Sequence, residues 1–515
     1  MALTKVHNRM LETTVADVTD FGADKTGAVD SHAAIQAAMD SGSAIIFFPQ
    51  GEYIISKPLR AKSGHTQNLT IRGESRVNTK IKPASTDISD DLGINSLFIN
   101  QENDGKLSFE NIRFISDIGA YDGNAIYCVE DGSNSQVIFS GRIDNCWFSL
   151  ASTNTGYLVG GLNNYTISNN VFEFAKNCFR LEGLGNGDIT FLNNIVYSSY
   201  DNFINASADT QTKNNITVSG LRLVGHNRGP LFNLKNCNRW TIDNVIVQNS
   251  TSGSTDVGVA DIDSCSNLSF SNIVFERVSP GATTNADAFT VTTSTGIQIS
   301  DSVLNDVNHG FVLTGSNAIS LNLDNVRLTN TAGNWVLCNS TPSGYIKIRN
   351  CDFRNSRTNG ISSTGSTPSF DMLIEDSFLI NSGVSGSASN RNLYMNTSGD
   401  VMVRGCHIGL DDASALAGYF IENDGTGMMD IYDPIIVGTA PVGINAPGSS
   451  GEVRTSGNVF GNYVIYRGSA APTTGTWKAG DILLDVTPSA GGTIGWVCVT
   501  AGTPGTWKTF GTIAS

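Results

Sequence analysis

Twelve segments of this sequence fall into one register: LSFENIRFIS, GRIDNCWFSL, YTISNNVFEF, ITFLNNIVYS, ITVSGLRLVG, WTIDNVIVQN, LSFSNIVFER, IQISDSVLND, LNLDNVRLTN, IKIRNCDFRN, MLIEDSFLIN and VMVRGCHIGL. Their central residues are Asn111, Asn145, Asn169, Asn193, Gly220, Asn244, Asn272, Asp301, Asn325, Asn350, Asp376 and Gly405, most of them 24 to 29 residues apart. A recurrent period of this length is the signature of a solenoid. Asn, Asp and Gly are the residues that tolerate a left-handed turn. Two positions before each turn, and three after it, stands an apolar residue without exception: Phe109 and Phe114, Ile143 and Phe148, and so on to Val403 and Ile408. Such positions point inward and stack from coil to coil. Cys146, Cys351 and Cys406 share the slot just after the turn, where a side chain also points inward.

A second, shorter strand is readable in most coils. Its inward pairs are Phe179/Leu181, Phe203/Asn205, Phe232/Leu234, Ala260/Ile262, Phe289/Val291, Phe311/Leu313 and Trp335/Leu337. Two or three short strands per turn make an all-β, right-handed parallel β-helix. Leucine-rich repeats need Leu at fixed spacing, and a propeller needs ~40 residues per blade. A solenoid must cover its open ends. The small helix carrying Ala33, Ala34, Ile35, Ala37, Ala38 and Met39 is expected to seal the first coil.

The 515 residues suffice for this long domain and a smaller one. Residues 1–16 read as an extended lead. Residues 17–440 read as the β-helix with its cap, the main coils occupying 106–440. The Gly/Ser/Pro-rich stretch 441–458 reads as a linker. Residues 459–515 read as a small β-module with two GTWK turns. Its ~55 residues are few for an independent core. Trp477, Trp496, Trp507 and Phe510 are therefore expected to meet neighbouring chains, as a trimer clamp. The net charge of -15 argues against nucleic acid and against anionic membranes. No run reaches the ~18 apolar residues of a membrane span. No apolar signal core stands in residues 1–30, so nothing in the sequence routes the chain through secretion. The nine cysteines include no CxxC pair and read as buried free thiols rather than disulfides or a zinc site. No metal cluster stands out, and no cofactor is implied.

The stretch VTDFGADKTGAVDSHAAIQAAMDSG, then AIIFFPQGEYIIS and LTIRGES, resembles the opening of the pectate-lyase-like β-helix superfamily. With ALTKVHNRML before it, it is similar to the start of the β-helical body in bacteriophage tailspikes and tail-fibre depolymerases. The last stretch, GTWKAGDILLDVTPSAGGTIGWVCVTAGTPGTWKTFGTIAS, resembles a C-terminal module in tailspikes of phages that infect capsulated Gram-negative bacteria, Acinetobacter phages especially. This resemblance implies a homotrimer in the virion, docked to the phage tail or baseplate through its N-terminus. It implies binding, and usually cleavage, of capsular or O-antigen polysaccharide at the host surface. Cleavage by such proteins is hydrolytic or eliminative. Because the β-helix opens within about twenty residues of the start, either a particle-binding domain has been trimmed away or a short peptide does the docking.

Hydrolysis needs paired carboxylates, ~5–5.5 Å apart for retention and ~6.5–9.5 Å for inversion. A lyase needs a base and a cation. No motif for either is evident, so outward charges on neighbouring coils are the candidates. On the second strand these are Arg180 and Glu182, Asn233 and Lys235, and Asp261 and Asp263. Like charges two residues apart push one carboxyl pKa upward, which suits a general acid beside an ionised base. The catalytic candidates are Glu182, Asp261 and Asp263, with acid, base and nucleophile unassigned. Arg180, Lys235, Arg228, His226 and Asp201 are the candidates for holding substrate. The same residues also make sense as a solvated ladder with a weak Lys235–Asp263 ion pair. A second row, Glu173, Gln248, Glu276 and Asn305, follows the turn, with Glu173 and Glu276 several coils apart. Asp301, Asp324 and Asp376 read as turn or turn-flanking residues. Trp147, Tyr197 and Tyr200 suit either sugar stacking or a trimer interface. Hydrolysis is the leading reading, followed by elimination, a non-catalytic receptor-binding spike, and a plain bacterial pectate lyase.

Overall fold

The computed structural model describes residues 15–61, 68–91, 93–100, 106–117, 121, 123–128, 140–150, 156–160, 162–174, 176–182, 186–197, 201–207, 210–225, 229–250, 258–277, 287–315, 318–339, 343–364, 368–383, 391–409, 419–437, 444–445, 453–455, 458–459, 465–473 and 477–515. The chain forms two compact units, Met1–Phe289 with Ser294–Val303, and Thr290–Thr293 with Leu304–Ser515. Both are built as a parallel β-solenoid.

In the first unit each coil carries a short strand and a long or broken one. The long strands Lys213–Val224, Cys237–Ser250 and Ser266–Arg277 stack in parallel, with Val218 opposite Ile242 and Ile242 opposite Phe270. Each is bent at its predicted turn residue. All twelve of those residues, in both units, have positive φ, from 48° at Asp376 to 71° at Gly220. A chain of side-chain bonds holds the corner. Asn169 Nδ2 donates to Asp144 at 2.9 Å, and Asn272 Nδ2 donates to Asp243 at 2.8 Å. The twenty-four flanking apolar residues are all buried. Phe114 stacks on Phe148 at 4.8 Å and Phe148 on Phe172 at 5.0 Å. The burial of each such ring contributes roughly 1.5–3 kcal/mol. In the slot after the turn, Asn170 and Asn194 are buried and satisfied. Asn170 accepts from the Cys146 amide and donates to the Ile143 carbonyl, and Asn194 accepts from the Asn170 amide. All nine cysteines are free and buried.

The N-terminal helix α1 (His32–Met39) buries Ile35, Ala38 and Met39. Ala33 and Ala37 are exposed, so only part of the expected apolar face does the sealing. Gln36 exchanges two hydrogen bonds with the Arg60 backbone and ties the helix to the strand Leu59–Ala61.

Two short strands differ from the predicted phase. In Asn202–Ala206, Ile204 pairs with Phe232 and Asn205 with Asn233, so Ile204 and Ala206 point inward and Asn205 points outward. Phe203 is nevertheless buried, because Asn202 donates to the Pro230 carbonyl and the chain enters the strand inside the core. In Val336–Cys338, Val336 and Cys338 take the inward places and Leu337 faces outward. A second left-handed row was not anticipated: Asn164, Asp188, Asn215, Arg239, Asn267 and Gly296, with φ between 51° and 67°.

In the second unit the strands Ser369–Glu375, Val401–Arg404, Met429–Tyr432 and Val453–Thr455 pair in parallel succession. Ile444–Asn445 and Val453–Thr455 are thus solenoid strands within the stretch read as a linker. The last residues form a four-stranded sheet, Ile465–Gly468, Ile482–Asp485, Thr493–Thr500 and Thr506–Thr512, mostly antiparallel. Trp477 and Trp507 meet edge to face at 5.1 Å. Few of its side chains are buried, Leu483 and Cys498 among them.

Candidate functional site

The short strands of the first unit stack Asn177–Leu181, Asn202–Ala206, Phe232–Lys235 and Ala260–Asp263 in parallel. Alternation then sends every second side chain outward. One outward row runs Arg180, Asn205, Asn233, Asp261, each directly opposite the next. Beside it, Lys235 lies opposite Asp263. Lys235 Nζ is 3.4 Å from Asp263 Oδ2, and Ser264 Oγ donates to the same carboxylate at 2.8 Å. Arg180 forms an ion pair with Glu182. Such part-exposed pairs are worth about 0–1 kcal/mol, so their value for stability is small.

Six of the eight sequence-predicted residues lie among those described. His226 and Arg228 lie outside them. Asp261 and Asp263 share one strand face, about 6.6 Å apart at the Cα atoms. Glu182 is removed from them. Three coil steps separate it from Asp263, about 14 Å at ~4.8 Å per coil, too far to share one scissile bond within a chain. Of the three candidate carboxylates only Asp261 and Asp263 lie together within one chain, and Arg180 and Glu182 stand further along the same face. Asp201 sits at the other end of its strand, where its carboxylate is 3.9 Å from Lys176 Nζ. Tyr127 adjoins Arg180 and Glu182. Burial pushes its pKa up, Glu182 adds to this and Arg180 opposes it.

The row after the turn is also formed. Glu173 pairs with Tyr197, Tyr197 with Val224 and Val224 with Gln248, so Glu173 and Glu276 are four coils apart. Trp147 carries the Arg113 guanidinium at 4.0 Å over its ring. It begins an outward stripe in register with Val171, Ile195, Arg222, Ile246 and Val274. Tyr200 lies outside the described residues.

One polar group was missed by the sequence reading. In the second unit, Arg391 pairs with Glu422, and Tyr394 Oη donates to Asp424 Oδ2 at 3.1 Å. Tyr394 and Glu422 are opposite each other in register. Burial and the Asp424 carboxylate raise the Tyr394 pKa. Glu422 and Asp424 repeat the two-residue spacing of Asp261 and Asp263. That spacing in YFIENDG was the available signal.

Residues 15–255 match the family described as rhamnogalacturonase A/epimerase, pectate lyase-like. The chain thus carries a pectate lyase-like β-helix domain. No curated protein matches the sequence at a significant level. Among solved structures, tailspike protein 3 of bacteriophage CBA120 is similar at 12% identity and TM-score 0.47, over 99% of this chain and 70% of that one. The surface adhesin PfbA of Streptococcus pneumoniae is similar at 14% identity and TM-score 0.43, over 63% of this chain and 91% of that one. The GH87 alpha-1,3-glucanase of Streptomyces thermodiastaticus is similar at 13% identity and TM-score 0.34, over 83% of this chain and 69% of that one.

Proposed function

We propose that the chain is a bacteriophage tailspike subunit that binds bacterial capsular or O-antigen polysaccharide and cleaves it by hydrolysis. One observation carries the reading. Four successive coils present Arg180, Asn205, Asn233 and Asp261 in one outward row, flanked by Glu182, Lys235 and Asp263. Such a row offers a polymer a donor or acceptor every ~4.8 Å. At its end, Asp261 and Asp263 put two carboxylates on one strand face, as glycosidic hydrolysis requires a carboxylate pair. Asp261 and Asp263 are the acid and the base or nucleophile. Arg180, Glu182 and Lys235 hold neighbouring sugar units. The family matched by residues 15–255, with rhamnogalacturonase in its name, supports carbohydrate chemistry on this fold. The resemblance of the opening and the tail supports the phage assignment, and with it a place in the virion and docking through the N-terminus.

The homotrimer is supported by two features. In the stripe of Trp147, Val171, Ile195, Arg222, Ile246 and Val274, every residue but the exposed Arg222 is apolar and only half-buried in one chain. The C-terminal sheet leaves Val486, Ile494 and Val499 exposed, at 51%, 44% and 46%. Both suit burial against identical copies.

Asp261→Asn and Asp263→Asn test the site. Each is expected to lower depolymerisation by at least 100-fold while leaving binding of the polymer nearly unchanged. Full activity in both variants refutes the assignment. Elimination is the second reading, favoured by Lys235 and Arg180 as cations for a sugar carboxylate. Under it, Lys235→Met lowers turnover more than either aspartate change does.

A further inference from the structure

Around the corner from the strand face lies a groove of about 340 Å³, within the first unit. Asn163, Asn186, Asp188, Asn214, Asn215 and Arg239 line it, with Gly187 among them bearing no side chain. The corner joins the groove to the outward row. Asn186 Nδ2 donates to the Glu182 carbonyl at 3.1 Å, and Arg239 follows Lys235 by four residues.

Arg239 is out of place by local chemistry. It occupies the second left-handed row, with φ 57°, where every other member is Asn, Asp or Gly. A residue other than Gly, Asn or Asp pays roughly 1–2 kcal/mol for that conformation. Among the described residues, no side-chain partner of Arg239 returns this cost. Arg239 is exposed, and among the described residues its guanidinium has no ion pair and no hydrogen bond. Its neighbours in the groove are engaged with one another. Asn215 Nδ2 donates to Asp188 at 3.0 Å, and Asn238 Nδ2 donates to Asn214 at 3.2 Å. A strained residue with no side-chain partner among the described residues points to function.

We propose that this groove is a subsite for a sugar unit bearing a carboxylate, bound through Arg239. A guanidinium takes a carboxylate by two parallel hydrogen bonds. Asp188, two coils away at about 10 Å, accepts hydroxyls, as does the amide oxygen of Asn163. One cation and one carboxylate among neutral amides suit a polymer with sparse carboxylates. A dense polyanion is disfavoured by the net charge of -15. The inference rests on the polysaccharide reading above and extends it to acidic repeat units.

The test is calorimetric titration of the wild-type chain and of Arg239→Gly with hyaluronan, gellan and glucuronoxylan oligosaccharides, in which only some sugars carry a carboxylate, each beside its carboxyl-reduced form. At least one acidic form is expected to bind the wild type tenfold or more tightly than its reduced partner. Arg239→Gly is expected to abolish that preference and to unfold at the same or a higher temperature, since glycine relieves the strain. Equal binding of acidic and reduced forms, or an unchanged preference in Arg239→Gly, overturns the subsite and leaves the polysaccharide reading intact. If the wild type binds none of these, the subsite is overturned, and if it binds no capsular polymer either, the polysaccharide reading falls as well.

Discussion

A left-handed asparagine does two things at each corner of the coil. It takes a backbone conformation that branched residues resist, and its amide reaches the coil before it. Asn272, with Nδ2 2.8 Å from Asp243, is a representative case. Asn272→Ala is expected to cost about 1–2 kcal/mol in chemical denaturation, and Asn272→Gly clearly less. Equal losses would show that the amide bond, not the conformation, dominates. The thiols make a second prediction. Burial pushes Cys128, Cys146 and Cys351 up to about 12 and Cys406 to about 11. These four should resist alkylation at pH 8 in the folded protein and react after denaturation. The turn row was legible in the sequence because only three residue types fit it. Arg239 was not, since nothing in its identity marks a left-handed corner. The signal lay in its row, where Asn164, Asn215 and Asn267 recur with the same period.

At the scale of elements, stacked rings and the cap hold the coils in register. Phe148 touches both Phe114 and Phe172, so Phe148→Ala is expected to cost about 3–5 kcal/mol, read from the denaturant midpoint. Near the cap, Lys80 and then Lys82 hold the Glu52 carboxyl down at about 2. A depressed folded pKa stabilises above the unfolded value of 4.5 and loses that contribution as pH falls through about 2. Because the Glu52 side chain is 35% exposed, solvent screens the pair and the effect is at most about 1 kcal/mol. Glu52→Gln should shrink the acid loss of thermal stability between pH 5 and pH 2 by that amount. The inward positions of the long strands were legible from their fixed offsets to the turn. Two short strands were misread, because alternation fails where a strand begins inside the core, as at Asn202 and Trp335. The Asp261/Asp263 pair was legible as an alternating D-x-D. Its separation from Glu182 was a matter of counting coils. The Tyr394–Asp424 contact was not legible, because thirty residues separate the two in sequence and Asp424 lies just past the end of its strand.

For the whole molecule, assembly and catalysis are the open claims. Truncation before residue 459 is expected to convert a trimer to monomers at micromolar concentration, by light scattering. A truncated chain that stays trimeric refutes the clamp and leaves the Trp147–Val274 stripe as the interface. The central claim is that a β-helix with an outward polar row and a carboxylate pair cleaves a bacterial surface polysaccharide by adding water. Mass spectrometry of the products released from purified capsules of a panel of capsulated strains tests it most directly. Oligosaccharides heavier than whole repeat units by one water are the predicted result. Products lacking that water and absorbing in the ultraviolet would contradict hydrolysis in favour of elimination, and a capsule bound but left intact would contradict cleavage altogether.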